Sequence, residues 1–270
     1  MRSAGVAWLL DLYGFKVYTL AGGYKAYRKW VREQFEKPYS LSVLGGYTGS
    51  GKTEVLRQIK QNGRAIIDLE ALANHRGSAF GALDGAGQPT QEMFENLLAE
   101  ALLDTSHWSL DESQQSTTSI RYLVSDIKQP GASIFIEDES QRIGNLQVPM
   151  SFWNTMRRSP VCFLEIPFEE RLEYVAKEYS RNKKEDLVNS IIRIRKRLGG
   201  LETKKAVNFL LEDNYKECFR ILLKYYDKWY LKGLYNRDGA EALLNRLHFD
   251  RVNAKEIAGT LCSEISNSIQ

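Results

Sequence analysis

Apolar positions along this chain follow two rhythms, and the switches between them predict its elements. In residues 4–13, Val6, Leu9, Leu10 and Tyr13 fall at helical spacing, and Gly14 suits the stop. Residues 16–20 (KVYTL) then alternate like a strand, and residues 21–35 read as a second helix before Pro38. From there β-like runs at 40–46, 64–70, 132–140 and 161–167 are separated by helical patterns, notably 90–103 and 117–128. The last three of those runs are short, β-branched and apolar on both faces, which predicts central parallel strands. Such alternation is the mark of βαβ units, so the expected fold class is α/β, a parallel sheet with flanking helices. After Pro167 the strand pattern stops and several helices follow. The expected division is residues 1–37, an α/β core over 38–170, and a helical basic region over 171–270.

At 270 residues the chain is long enough for one large domain or two modest ones. A net charge of +3 says little by itself, but the charge is unevenly placed. Residues 101–150 carry a balance of −4 and residues 171–200 a balance of +5. The basic stretch suits a polyanion or a solvated helix face equally well. Three scattered cysteines, Cys162, Cys218 and Cys262, match no metal or redox spacing and fit a reducing compartment. With no signal-peptide pattern and no apolar run of bilayer length, the expectation is a cytoplasmic protein without membrane contact.

The segment 45–53, GGYTGSGKT, contains Gly46-x-x-x-x-Gly51-Lys52-Thr53 between an apolar strand and a helix. A loop of this kind wraps a phosphate chain in backbone N–H groups, and its small residues let the backbone approach closely. Gly46, Gly49, Ser50 and Gly51 are the expected cradle. Lys52 would neutralise a terminal phosphate and Thr53 would offer its hydroxyl to Mg²⁺. The loop also needs a carboxylate from a neighbouring strand end. Glu137, Asp138 and Glu139 close the run 132–140, and Asp138 with Thr53 is the expected metal pair, with Glu137 beside it. Asp68 and Glu70 end another strand at the same sheet edge, where Asp68 is either a ligand contact or a helix N-cap. His75 and Arg76 precede a Gly-Ser turn near that edge, and Arg142 lies just past the acidic strand end, so all three are candidate anion contacts.

Leu187, Ile191, Ile194 and Leu198 predict one apolar helix stripe, with Arg193, Lys196 and Arg197 on other faces and Arg181, Lys183 and Lys184 upstream. Basic groups bind phosphates, and the aromatic run 225–230 could stack on unpaired bases or pack in a core.

Taken in order, MRSAGVAWLL, LAGGYKAYR, GGYTGSGKTEVL, IDLEALANHRGSAFG, QPTQEMFENLL, IEDESQRIG and KRLGG resemble the tRNA 2-selenouridine synthase family. Such proteins combine a rhodanese-type domain with a phosphate-loop domain. The resemblance therefore implies a P-loop NTPase-like core and an N-terminal remnant of a rhodanese-like domain. It implies replacement of sulfur by selenium, from selenophosphate, in wobble 2-thiouridine of tRNA, by way of a geranyl group taken from geranyl diphosphate. Lys52, Asp138, Glu137, His75 and Arg76 are then the expected catalytic set, and Gly46 to Thr53 with Asp68 and Arg142 hold the diphosphate. The tRNA would lie on Arg181, Lys183, Lys184, Arg193, Lys196 and Arg197. The family's rhodanese loop resembles Cys-x-x-Gly-Gly-Met-Arg-Ser, and this sequence starts at that Met-Arg-Ser. The expectation is that the reactive cysteine comes from elsewhere, such as a separate rhodanese-like chain. Two other readings stand: a small-molecule or nucleotide kinase using ATP or GTP with Mg²⁺, and a non-catalytic tRNA-binding partner.

Overall fold

The computed structural model describes residues 2–75, 80, 87–107 and 133–267. Helix α1 (Arg2–Leu12) and α2 (Gly23–Gln34) precede strand β1 (Leu41–Gly46), which runs through the glycine loop into α3 (Lys52–Gln61). Next come β2 (Ile66–Ile67), α4 (Leu69–Ala73), α5 (Gln91–His107), β3 (Ile134–Glu137) and a small hairpin of β4 (Arg142–Ile143) and β5 (Leu146–Gln147). Helix α6 (Met150–Arg158) leads to β6 (Val161–Glu165). A helical run follows: α7 (Phe168–Tyr179), α8 (Lys184–Arg193), α9 (Arg195–Leu198), α10 (Gly200–Leu211), α11 (Tyr215–Tyr235) and α12 (Ala240–Leu243). Strand β7 (Leu244–His248) and α13 (Ala254–Asn267) come last.

Five strands form one sheet in the order β2-β3-β1-β6-β7, and every pairing in it is parallel. Strand β1 is central and buried along its whole length. Successive residues of a strand point to opposite faces, so β1 feeds two cores at once. Val43 faces a cluster with Val31, Phe94, Leu98, Phe152 and Phe163. Leu44 faces another with Val55, Leu56, Ile59, Leu164, Ile257 and Leu261. Each such side chain contributes about 1.5–3 kcal/mol relative to exposure. A third cluster, with Leu172, Leu187, Leu210, Phe219 and Leu222, holds α7, α8, α10 and α11 together. The architecture is the α/β parallel sheet with flanking helices that the sequence pattern predicts, with the P-loop NTPase-like core that the resemblance implies.

Several details differ from the sequence reading. Strands do not end at Pro167: β7 pairs with β6 over Val161–Leu244 to Glu165–His248. Its Asn245 and Arg246 are exposed, as an edge strand allows, and that polarity hides the strand in the sequence. The run at 64–70 supplies only the two-residue edge strand β2, whereas β1 takes the centre. The predicted strand at 16–20 does not form, and Tyr18 and Leu20 are exposed.

A division at residues 37 and 170 also separates what packs together. Val31 and Phe35 join the β1 core, Arg28 pairs with Glu95 and Asn96 of α5, and α13 covers α3. The predicted basic helix breaks at Ile194, between α8 and α9, although Ile194 and Leu198 still pack against the cluster of Leu187 and Ile191. The predicted helix at 117–128 lies outside the described residues.

Candidate functional site

The glycine loop takes its shape from positive φ angles at Gly46 (151°), Gly49 (82°) and Gly51 (73°), where L side chains are strained. Space forbids them too. A Cβ on Gly49 would sit 2.5 Å from Val175 Cγ2 and 2.9 Å from the Arg171 carbonyl oxygen.

Two buried networks brace the loop from behind. The Arg171 guanidinium donates to the carbonyls of Thr48 (3.0 Å) and Ile166 (3.1 Å) and makes a two-pronged pair with Asp227 at 3.0 and 2.8 Å. The Tyr47 ring stacks over it at 4.6 Å. Independently, the Tyr230 hydroxyl accepts from the Gly46 amide at 3.0 Å and donates to Asp138 Oδ2 at 2.8 Å. Arg237 completes that chain through its ion pair with Asp138.

In front of the loop lies a cleft of about 300 Å³ lined by Gly49, Gly51, Lys52, Thr53, Asp68, Glu70, His75, Glu137, Val175 and Tyr179, among others. Lys52 Nζ donates to the Gly46 carbonyl at 2.8 Å, folded back on the loop. Thr53 Oγ1 is 2.9 Å from Glu137 Oε1 and 3.4 Å from Glu70 Oε2. Glu70, Glu137 and Glu139 bring one oxygen each within 4.8 Å of one another. Burial first, then the charge of Glu70, pushes Glu137 well above the usual carboxylate range. The same two causes push Glu139 up to about 8, against the opposing pull of Lys52. Glu137 Oε2 is buried without a hydrogen-bond partner. Hard oxygen donors, one of them orphaned, beside a phosphate loop fit a divalent cation such as Mg²⁺.

The structure brings together Gly46, Gly49, Ser50, Gly51, Lys52, Thr53, Glu137, Asp68 and His75. Asp68 is also the N-cap of α4, its carboxylate accepting from the Ala71 amide at 2.8 Å. Burial and then the charge of Arg193 lower the His75 pKa, which favours the neutral imidazole. Asp138 is not with Thr53: it turns to Tyr230 and Arg237, because alternation along the strand end sends neighbouring carboxylates opposite ways. Glu137 takes the place expected for Asp138. Arg142 lies on the β4–β5 hairpin, exposed, donating to the Gly144 carbonyl at 2.9 Å and not lining the cleft. Arg76 falls outside the described residues.

Of the basic set, Arg193 reaches the field of His75, Lys184 pairs with Asp213 at 2.7 Å, and Arg181, Lys183, Lys196 and Arg197 are exposed. Sequence reasoning placed Glu139 behind Asp138 and Glu137 among the strand-end carboxylates, took Tyr230 only as part of the aromatic run 225–230, and gave Glu70 only an edge position. The single available signal was the pair of acidic strand ends, 68–70 and 137–139, which a parallel sheet brings to one edge.

A glycine loop, a lysine, a hydroxyl and acidic strand ends at the carboxyl edge of a parallel sheet define a phosphate-loop α/β protein. Residues 39–248 match the family model for the tRNA 2-selenouridine synthase AAA domain. The tRNA 2-selenouridine synthase of Sulfurovum sp. (strain NBC37-1) is 34% identical, over 94% of this chain and 69% of its own. That of Hydrogenovibrio crunogenus (strain DSM 25203 / XCL-2) is 34% identical over 83% and 63%, and that of Cupriavidus pinatubonensis (strain JMP 134 / LMG 1197) 39% identical over 64% and 41%. The chain belongs to the tRNA 2-selenouridine synthase family, and its matched part spans 41–69% of the length of these curated relatives. Among solved structures, an unliganded sugar kinase from Janibacter sp. HTCC2649 is 16% identical with a TM-score of 0.24, over 52% of this chain and 68% of its own, a likeness too slight to argue from. Among the described residues no helix is long and apolar enough to cross a membrane.

Proposed function

We propose that this chain is the phosphate-loop portion of a tRNA 2-selenouridine synthase, binding geranyl diphosphate in the cleft and a tRNA on its basic helices. One observation carries the choice of ligand. The cleft has a charged end at Lys52 and Thr53 and an apolar wall at Val175 and Tyr179. Thr48, Val175 and Tyr179 also line a small cavity of about 20 Å³ closed by Phe80, Phe219, Leu222, Leu223 and Tyr226. An amphiphile with a diphosphate head and a hydrocarbon chain matches that polarity, the chain entering as the small cavity widens. A nucleotide offers no comparable apolar tail, so the ATP- or GTP-dependent kinase is the weaker reading.

In this proposal the loop amides and Lys52 take the diphosphate, and Lys52 leaves the Gly46 carbonyl to do so. The sulfur of wobble 2-thiouridine forms a bond to the first geranyl carbon, and the electron pair of the broken C–O bond leaves with pyrophosphate. His75 would accept the proton the base releases. Thr53 and Glu137 would hold Mg²⁺, which neutralises charge on the leaving group. The selenium of selenophosphate would then attack the base carbon that carries the S-geranyl group, geranylthiolate leaving and taking a proton as geranylthiol, and water would cleave the Se–P bond to release inorganic phosphate. Cys218 is buried and its thiol is pushed up to about 12 by desolvation, which leaves it unreactive. In this proposal the cysteine for the selenium step comes from a rhodanese-like segment or a separate chain.

The test incubates the protein with 2-thiouridine tRNA and geranyl diphosphate and analyses the nucleosides by mass spectrometry. S-geranyl-2-thiouridine, absent with Lys52→Ala, is the expected result. No geranylated nucleoside despite intact tRNA binding would reduce the chain to a binding module. Lys52-dependent phosphate release from ATP or GTP would favour the kinase.

A further inference from the structure

Helix α11 has two unlike long faces. Inward, Asp227 receives Arg171 and Tyr230 holds Gly46 and Asp138, so one side of the helix braces the phosphate loop. Outward, Lys224, Lys228 and Lys232 are exposed and recur every fourth residue, in steps of about 6 Å along the axis. Asp227 is the only acid between residues 224 and 235, and its carboxylate is committed to Arg171. Among the described residues none of these three lysines makes an ion pair with a carboxylate.

Between the lysines lies an aromatic surface. Trp229 is 44% exposed, its ring centroid is 6.4 Å from that of Tyr225, and Lys232 Nζ sits 5.3 Å from it. From α6, Arg157 stacks on Trp153 at 5.4 Å and donates to the Gly233 carbonyl at 3.1 Å, which adds a fourth cation at the edge. The core does not use this face: Leu231 and Leu234 point inward instead.

We propose that the outer face of α11 docks a single-stranded segment of RNA, with bases stacked on Trp229 and Tyr225 and phosphates met by Lys224, Lys228, Lys232 and Arg157. Every base offers a π face, so an exposed indole among cations binds unpaired nucleotides with little sequence preference. An acidic protein would use the lysines but gains nothing particular from the indole platform, and the aromatic component decides for RNA. The surface is distinct from the basic residues of α8 and α9. It rests on the reading that this protein acts on tRNA, and it is a docking element, separated from the loop by about the thickness of one helix.

The test compares the unaltered protein with Trp229→Ala and with Lys228→Glu/Lys232→Glu. Affinities are measured for tRNA, a single-stranded RNA oligonucleotide, polyglutamate and pyrophosphate over a range of salt. The expected result is about tenfold weaker oligonucleotide binding in Trp229→Ala. The charge reversal should lower the salt dependence of log K by one or more. Pyrophosphate affinity and melting temperature should not change in either variant, which separates lost docking from lost folding. RNA binding by the unaltered protein that both variants retain in full would overturn this surface and leave the tRNA reading standing. No RNA binding by the unaltered protein would overturn both. Polyglutamate bound as tightly as RNA, lost on charge reversal but indifferent to Trp229, would overturn RNA in favour of an acidic protein partner.

Discussion

The Tyr230 hydroxyl accepts the Gly46 amide at 3.0 Å, so a residue of α11 fixes the first glycine of the phosphate loop. The same oxygen donates to Asp138, already paired with Arg237, and the loop thereby hangs from a chain of buried polar groups. Tyr230→Phe keeps the ring beside Phe163 but strands the amide and one carboxylate oxygen. A loss of about 1–3 kcal/mol in urea unfolding is expected. Calorimetric titration should show weaker pyrophosphate binding as the loop loosens. Unchanged affinity would assign Tyr230 to stability alone.

Gly49→Ala tests the loop more locally. The new methyl meets Val175 and the Arg171 carbonyl, and φ at this position is +82°. Pyrophosphate binding should fall at least tenfold. Trimming Val175 to Ala in the same chain removes the first clash but not the backbone strain, so recovery should be incomplete.

Removing one partner of the Arg171–Asp227 pair should cost more than removing both. The Arg171 side chain is 4% exposed and that of Asp227 18%, so Asp227→Asn leaves a charge buried without its mate. About 3–5 kcal/mol is the expected loss for the single change. The double variant Arg171→Met/Asp227→Leu should lose less in chemical denaturation, while the Thr48 carbonyl, deprived of its donor, still weakens the loop.

Glu137 and Glu139 set the pH response. Both hold their protons in the folded chain to higher pH than in the unfolded one, Glu139 to about 8. Between the ordinary carboxylate range and about pH 8 the folded state therefore binds more protons, and stability falls as pH rises. Below that window both states are protonated, and the contribution is fully present. Melting temperature should thus decline from about pH 5 to pH 8, less steeply in Glu139→Gln. Added Mg²⁺, which needs the ionised carboxylates, should raise the melting temperature more at pH 8 than at pH 6.

How far the sequence could be read depended on whether a residue's role is local. The glycine loop, its flanking strand and helix, and Lys52 and Thr53 lie in one short segment, where spacing alone shows the chemistry. Asp68 shows its capping role for the same reason, with its acceptor three residues ahead. The choice between Glu137 and Asp138 was not local. It turns on Tyr230 and Arg237, about a hundred residues on, which claim Asp138 and leave Glu137 for Thr53. Strand β7 escaped notice because its exposed Asn245 and Arg246 break the apolar run that marked the inner strands. The run at 16–20 misled in the opposite direction. It alternates correctly, but no neighbouring strand pairs with it among the described residues, and alternation without a partner does not make a strand.

The pairing of β6 with β7 has a consequence for the order in which the chain acquires its shape. Residues 166–243 separate the two strands, and α13, which covers the phosphate-loop helix, comes later still. On the ribosome, the phosphate loop and most of its sheet emerge long before the strand and helix that close them. Until then Leu56, Ile59 and Leu164 have no cover from Ile257 and Leu261. Anion binding by this loop thus waits on the strand and helix that follow residue 243, and a ribosome stalled at residue 240 should carry a loop that binds no pyrophosphate.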